Sequence, residues 1–403
     1  MEVPPVGARA MRDVAIIGVG MHPWGKFDDK PLTQMCREAI EAALKDSGVN
    51  WTEIEAVSSG SSRFSGGYGW GLNGNEVGMD IGMTGVPIFN LSAGCSAGGH
   101  AFSVAHMLVA SGQFDLVLAV AGEKMPRGFI PLTGDEADPL DIQYLQYVCA
   151  GMTGPAFWAM LARRRMEEYG TTEEQMAKVA VKSHKNSVHN ENARYRKEFS
   201  LEQVLGSTMV SYPLRLYEIC PVSDGAAAVV LCSAEEARKR STNPVWAPAA
   251  VVTTARFGDG IPKGVAAVSP GPKTHHSEVT SAVTKAFATA GITPKDVDVV
   301  ELQDNTVYYE LAFPEEWGLC EPGQAEWLVD RGETGPHGSL PINPSGGFLS
   351  FGEATTAMGL FEVCELTWQL RGQAGARQVK DAKVGLGQTI GLGGNATAVI
   401  LKR

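Results

Sequence analysis

Asn90-Leu91-Ser92-Ala93-Gly94-Cys95-Ser96-Ala97-Gly98-Gly99-His100 follows a short apolar run and opens a helical pattern. Phe102, Ala105, Leu108 and Val109 recur on one face, and Gly112 falls where a left-handed helix cap is expected. Cys95 is therefore expected in the first turn of a helix, where unpaired N–H groups and the positive end of the dipole favour a thiolate. The ordinary alternative is a small buried thiol, since cysteine is among the most buried residue types. Small residues on both sides argue for the reactive role, because they leave room for a substrate or a partner backbone to approach. Gly94-Cys95-Ser96-Ala97-Gly98 also fits the G-x-S-x-G elbow of serine hydrolases, with Ser96 as nucleophile. That fit is weak, because the late histidines, His275, His276 and His337, follow no clear strand end that would fix an imidazole.

Upstream, residues 12–21 read as a buried strand running into Gly18-Val19-Gly20. Met21, His22 and Pro23 follow, so the third glycine of a dinucleotide fingerprint is missing and dinucleotide binding is disfavoured. A helix over 32–45, a strand over 54–58, a helix over 76–83 and a strand over 86–90 lead to Cys95. The Gly/Ser-rich loop at 58–74, with Tyr68 and Trp70, suits the rim of a site or a subunit interface. Residues 114–121 form a near-continuous apolar strand, as expected in a sheet covered on both faces.

Between 123 and 219, charges, aromatics and loops break the strand–helix rhythm, with helices near 155–169 and 173–186, so this reads as an inserted lobe. Lys185, His189, Arg194, Arg196 and Lys197 form a basic island there. It is either a solvated helix and turn or a seat for a phosphate-bearing group such as coenzyme A. Ser223-Asp224-Gly225-Ala226-Ala227-Ala228 then turns into an apolar strand that closes the first half. The second half repeats the rhythm: strand 249–254, helix 277–290, strand 297–302, and a helix over 308–318 after Glu301-Leu302-Gln303-Asp304-Asn305. Asn343-Pro344-Ser345-Gly346-Gly347, a helix headed by Gly352-Glu353, a strand over 383–386, the hairpin Gly391-Leu392-Gly393-Gly394 and a last strand over 396–401 complete it. Alternation in both halves indicates an internal duplication.

A chain of 403 residues with 44% hydrophobic content buries a large core, divided into two or three lobes. Its 34 basic and 45 acidic residues give a net charge of -11, which argues against nucleic acid or an anionic membrane as partner. Seven scattered cysteines without a C-x-x-C pair argue against a zinc ribbon or a disulfide scaffold and for a reducing cytoplasm. Met1–Ala10, with two prolines and no apolar stretch, reads as a disordered tail, and no apolar run reaches bilayer-spanning length.

The stretch around Cys95, Ser223–Ala228, Asn343–Gly347 and Gly391–Gly394, in this order, resemble the thiolase superfamily, and within it the sterol-carrier-protein thiolases and lipid-transfer proteins, over nearly the whole chain. The resemblance implies an α/β fold of two duplicated βαβαβαββ lobes in a five-layered αβαβα core. It divides the chain into the tail 1–10, a first lobe of 11–122 and 220–240, an inserted loop domain of 123–219, and a second lobe of 241–403. It implies a coenzyme A thioester as substrate, no bound cofactor or metal, and a homodimer. Relatives of this type work with a small zinc-ribbon and OB-fold protein, so a separate partner completing a heterotetramer is expected.

The resemblance also assigns roles. Cys95 matches the nucleophile that takes an acyl group from the thioester. The amide that holds a water and the thioester oxygen falls on Gln303, with Asn343 and Gly393 supporting the oxyanion and its loops. The usual G-H-P histidine falls on Glu353, and the second cysteine, which moves the α-carbon proton, falls on Thr389. An anionic glutamate would repel a developing oxyanion, although burial can make it a base; a threonine does not shuttle protons near neutral pH. The expected function is acyl transfer through a Cys95 acyl-enzyme, making or breaking a carbon–carbon bond in a 3-ketoacyl-CoA. The competing expectations are retro-aldol cleavage of a β-hydroxyacyl-CoA such as a steroid side chain, with Tyr308 or Tyr309 taking the hydroxyl proton, and a non-catalytic acyl-CoA- or lipid-binding subunit. Lys185, Arg194 and Arg196 are the candidates for the coenzyme A phosphate.

Overall fold

A computed structural model describes residues 11–62, 73–126, 153–255, 277–391 and 394–403. The first half runs β1 (Val14–Gly25), α1 (Leu32–Ser47), β2 (Ala56–Gly60), α2 (Asn73–Ile81), β3 (Ile88–Leu91), α3 (Ala97–Ala110) and β4 (Leu116–Glu123). There follow α4 (Gly154–Tyr169), α5 (Glu173–Ser187), α6 (Leu201–Leu205) and the small hairpin β5 (Met209–Ser211) and β6 (Leu214–Arg215). The chain then returns to the first half as β7 (Asp224–Ser233) and leaves it through α7 (Ala234–Arg240). The second half comprises β8 (Val245–Thr254), α8 (Glu278–Ala290), β9 (Val299–Leu302), α9 (Val307–Glu316), α10 (Ala325–Asp330), α11 (Gly347–Phe351), α12 (Met358–Arg371), β10 (Val384–Gly391) and β11 (Asn395–Lys402).

The strands lie in the order β3-β2-β4-β7-β1-β8-β11-β10-β9. Counting only the strands of this sheet and reading outward from the β1/β8 seam, each half presents its first strand, its last, its penultimate and its second. The parallel pairing of β2 with β3 is echoed by a single parallel bridge between Val300 and Ile342. The duplication expected from the rhythm is thus written in the strand order. The seam itself is slight, formed by Ala15 opposite Trp246 and Ile16 opposite Val245.

Alternation along the strands builds the layers. In β4, Leu116, Leu118 and Val120 face an outer core with α1, while Val117, Ala119 and Ala121 face a central core with α3 and α12. In β11, Ala396, Ala398 and Ile400 join α8 in the opposite outer core, while Val399 and Leu401 face the centre. Helix, sheet, paired helices, sheet, helix is the five-layered arrangement. Leu32, Met35, Cys36, Ala39, Ile40 and Ala43 supply the buried stripe of α1 at helical spacing, and Gly48 ends that helix in the left-handed conformation.

Close approaches explain the glycines that resembled a dinucleotide fingerprint. A Cβ at Gly18 would lie 2.3 Å from the Ala43 carbonyl oxygen, and one at Gly20 would lie 2.2 Å from that of Ala39. These glycines let β1 press against α1 and cradle no phosphate. The same device joins the central helices, where a Cβ at Gly359 would lie 2.4 Å from the Gly99 nitrogen and one at Gly98 2.7 Å from the Thr356 oxygen. The room foreseen beside Cys95 at Gly98 and Gly99 is therefore filled by α12 and its approach.

The helices after β4 share a further core with the second half: Ala159, Ala162, Met176 and Val179 pack with Val307, Leu311 and Val329. A buried guanidinium ties them. Arg165 on α4 meets Glu315 at 2.6 Å and Glu326 at 2.7 Å, all three nearly without solvent exposure. Arg165→Ala leaves two carboxylates buried beside a void and is expected to lower the unfolding free energy by about 3–5 kcal/mol. A urea melt reads this as a lower midpoint; an unchanged midpoint would show that the triad is solvated in the folded protein.

Candidate active site

Cys95 sits at the meeting of the halves. After β3, Gly94 adopts a positive φ of 59° and starts a single 3₁₀ turn, Gly94–Ser96, from which α3 continues. Cys95 therefore precedes the α-helix instead of lying in its first turn, as the sequence suggested. On the other side of the seam α12 is introduced in the same way, by the 3₁₀ turn Thr355–Ala357. Glu353 lies just before that turn, so thiol and carboxylate come from comparable places in the two repeats.

The Cys95 thiol donates to Glu353 Oε1 at 3.3 Å. Asn305 Nδ2 donates to the same oxygen at 2.9 Å, and the Cys220 thiol lies 4.0 Å from Oε2. Glu353 is 5% exposed, while both sulfurs are half-buried. Burial raises the Glu353 pKa above its ordinary value, and the hydrogen bonds from Cys95 and Asn305 pull the other way without cancelling it. A carboxylate held in this state is a stronger base than an exposed one and faces a thiol directly.

Backbone pairing fixes the group. The Glu353 N–H donates to the Pro221 carbonyl at 2.6 Å, and the Ser223 N–H donates to the Glu353 carbonyl at 3.0 Å. The Cys220 N–H donates to the Asn305 carbonyl at 2.9 Å. Three segments, 219–223, 303–306 and 352–353, are thereby stitched around one side chain. Gly352 is needed for this approach: its φ is 81°, and a Cβ there would lie 2.4 Å from Ser223 Oγ.

The remaining expected residues take other places. Gln303 Oε1 accepts from the Ile390 N–H at 2.6 Å, so its carboxamide pins the end of β10. The amide that reaches the site is Asn305, whose Oδ1 is buried with no partner among the described residues. Thr389 Oγ1 shares a hydrogen bond with Thr397 Oγ1 at 2.6 Å beneath α3. Asn343, with φ 49°, exchanges hydrogen bonds with the backbone of Leu302 and so anchors the strand leading to Asn305. Tyr308 is turned toward a different neighbourhood: burial first, then the charge of Glu316, raises its pKa, with Arg165 opposing. Tyr309 stacks on Phe313 at 4.8 Å, and burial, Tyr308 and Glu316 raise its pKa with a smaller contribution from Glu353.

Arg194 is not free for a phosphate. Its Nη1 donates to the Val222 carbonyl and, at 3.4 Å, to Ser223 Oγ, bracing the segment that carries Cys220. Lys185 and Arg196 are exposed. Ser96 is completely buried, and its hydroxyl is taken by the Ala93 carbonyl at 3.1 Å and by Asn395 Oδ1, which removes it as a serine-hydrolase nucleophile. Gly393, Tyr68, Trp70, His275 and His276 lie outside the described residues. Among the described residues no cluster of histidine, cysteine or carboxylate side chains is arranged to hold a metal, and no helix is long and apolar enough to cross a membrane.

Known proteins share this architecture. The family profile "Thiolase, N-terminal domain" matches residues 14–212, and "Thiolase C-terminal domain-like" matches residues 266–403. An acetyl-CoA acetyltransferase of Methanothermobacter thermautotrophicus is 36% identical over 98% of this chain and 100% of its own. Sterol carrier protein 2 of Bos taurus is 34% identical over 96% of this chain and 72% of its own. Among solved structures, an Ltp2-ChsH2(DUF35) aldolase superposes with a TM-score of 0.81 at 26% identity, covering 98% of each chain. Human mitochondrial 3-ketoacyl-CoA thiolase in complex with CoA superposes with a TM-score of 0.70 at 17% identity over 98% of each chain, a likeness of fold.

Proposed function

Because the chain belongs to the thiolase family, we propose that it is an acyltransferase acting on coenzyme A thioesters through an acyl-enzyme at Cys95. The observation that carries this reading is the 3.3 Å contact between the Cys95 thiol and Glu353 Oε1. In the proposed step Cys95 gives its proton to Glu353 and its sulfur attacks the carbonyl carbon of the substrate. The carboxylate is then neutral as the oxyanion develops, so the repulsion expected of an anionic glutamate does not arise. Asn305 holds Glu353 in register and offers Oδ1 to a water or to substrate. Cleavage of a 3-ketoacyl-CoA between C2 and C3, or the reverse condensation, is the carbon–carbon chemistry that suits a nucleophile of this kind.

Lys185 and Arg196 are the remaining candidates for the coenzyme A phosphates. The domain boundaries expected from the sequence, a homodimer and a cytoplasmic setting belong to the same proposal. The ChsH2(DUF35) named with Ltp2 supports a separate partner protein for this chain, and the kind we propose is a zinc-ribbon and OB-fold protein.

The test is intact-protein mass spectrometry after brief exposure to acetyl-CoA and acetoacetyl-CoA. An acetyl-sized mass gain, mapped by peptide digestion to Cys95, is expected. The 26% identity to an aldolase supports a second reading, retro-aldol cleavage of a β-hydroxyacyl-CoA. No mass gain, together with aldehyde or ketone release from a β-hydroxyacyl-CoA, would replace the first reading by the second.

A further inference from the structure

The residue expected to move the α-carbon proton, Thr389, is spent on Thr397, yet Glu353 carries two sulfurs. Cys95 lies on Oε1 and Cys220 on Oε2. Cys220 is held there by its N–H bond to Asn305 and by the pairing of Pro221 and Ser223 with Glu353. The other buried thiols are placed differently: Cys36 and Cys232 belong to the outer core under α1, and Cys364 to the central core. Cys220, like Cys95, is half-buried, and the two sulfurs lie on opposite oxygens of one carboxylate.

We infer that Cys220 is the second acid–base residue of this site, exchanging a proton with the α-carbon of the substrate while Cys95 holds the acyl group. The inference rests on the acyltransferase reading and extends it. In the cleavage direction Cys95 passes its proton to Glu353, its sulfur bonds to C3, and the C2–C3 bond breaks with its electron pair on C2. Cys220 donates its proton to C2, which releases the shorter acyl-CoA and leaves a Cys220 thiolate. That thiolate takes the proton of incoming coenzyme A, whose sulfur attacks the acyl-enzyme. The Cys95 sulfur departs and recovers the proton stored on Glu353. Every group ends as it began, with no oxidant or metal consumed. Burial, followed by the negative charges of Glu353 and Asp304, keeps the resting Cys220 protonated, which suits a group that must first donate.

The experiment compares wild type, Cys220→Ala and Cys220→Ser in two assays. One is acetyl transfer to Cys95 by intact mass; the other is deuterium incorporation at C2 of acetyl-CoA in D₂O. Both variants are expected to reach the acetyl mass at the end point, because a departing coenzyme A thiolate takes its proton from water when Cys220 is absent, and this also shows that they fold. Deuterium incorporation is expected to fall about 10²–10⁴-fold in each, the range for a lost general acid–base group. The serine hydroxyl is too weak an acid to restore it, whereas a purely packing role would be restored by the near-isosteric side chain. Exchange within about threefold of wild type in Cys220→Ala, or recovery in Cys220→Ser, overturns the inference and leaves the acyl-enzyme standing. Absence of the acetyl mass from the wild type overturns the acyltransferase reading and this inference with it.

Discussion

Cys95→Ala is expected to leave a folded protein whose thiolytic activity is lower by about 10⁴–10⁶-fold, the range seen when a covalent nucleophile is removed. The side chain is half-buried, and its loss removes one thiol and one 3.3 Å hydrogen bond to Glu353, so packing changes little. Chemistry changes completely, because the remaining groups around Glu353 can move protons but cannot hold the acyl group where Cys95 held it. Cys95→Ser is expected to fall nearly as far: an alcohol facing the same carboxylate is a much weaker acid than a thiol and is scarcely ionised by it. Steady-state cleavage of acetoacetyl-CoA in the presence of coenzyme A measures both variants. Activity within about tenfold of wild type in Cys95→Ala would take the chemistry away from this sulfur altogether.

Glu353→Gln is expected to lower kcat/KM by about 10²–10⁴-fold, because the amide neither accepts the thiol proton nor returns it. Shape is nearly conserved, and the amide oxygen still accepts from Asn305 Nδ2. The pH profile separates this loss from general damage. Burial raises the Glu353 pKa above its ordinary value, so wild-type activity is expected to fall on acidification at a pH above the usual carboxylate range. In Glu353→Gln the residual activity loses that limb. Stability moves the other way. A carboxyl group whose folded-state pKa is raised destabilises the fold as pH climbs from its unfolded pKa through its folded one, since the unfolded chain releases the proton first. Glu353→Gln removes that cost, and its thermal midpoint at neutral pH is expected to exceed that of wild type. A variant that is less active and also less stable would show that the carboxylate is structural.

The order of elements and the duplication were legible because strand alternation and helical spacing are local and repeated. That Cys95 begins a helix was legible for the same reason, whereas Glu353 was singled out by the family resemblance, and only the structure shows the two in contact. The amide that meets Glu353 is Asn305, two residues beyond Gln303. Between β9 and α9 no periodicity fixes side-chain directions, and three successive side chains leave for three destinations: Gln303 to Ile390, Asp304 to the Phe348 N–H, and Asn305 to Glu353. Cys220 was overlooked because it reaches the site through the parallel bridge of Val222 to Glu353, a contact of long sequence separation. A cysteine and proline just before Ser223-Asp224-Gly225 were the available sign. Arg194 was misread because a run of charges resembles a docking seat until its carbonyl partner is known.

The glycine contact between the central helices has a consequence for how this catalyst is specified. Sulfur and carboxylate belong to different repeats, and the interval between them is set where Gly98 and Gly99 meet Gly359. The crossing acts as a spacer gauge whose thickness is that of bare backbone. In the proposed chemistry one repeat by itself would hold half a reaction: a thiol without its base, or a base without its thiol. The working unit is therefore the pair, and the linker that joins the repeats guarantees a stoichiometry that two free copies would have to reach by colliding.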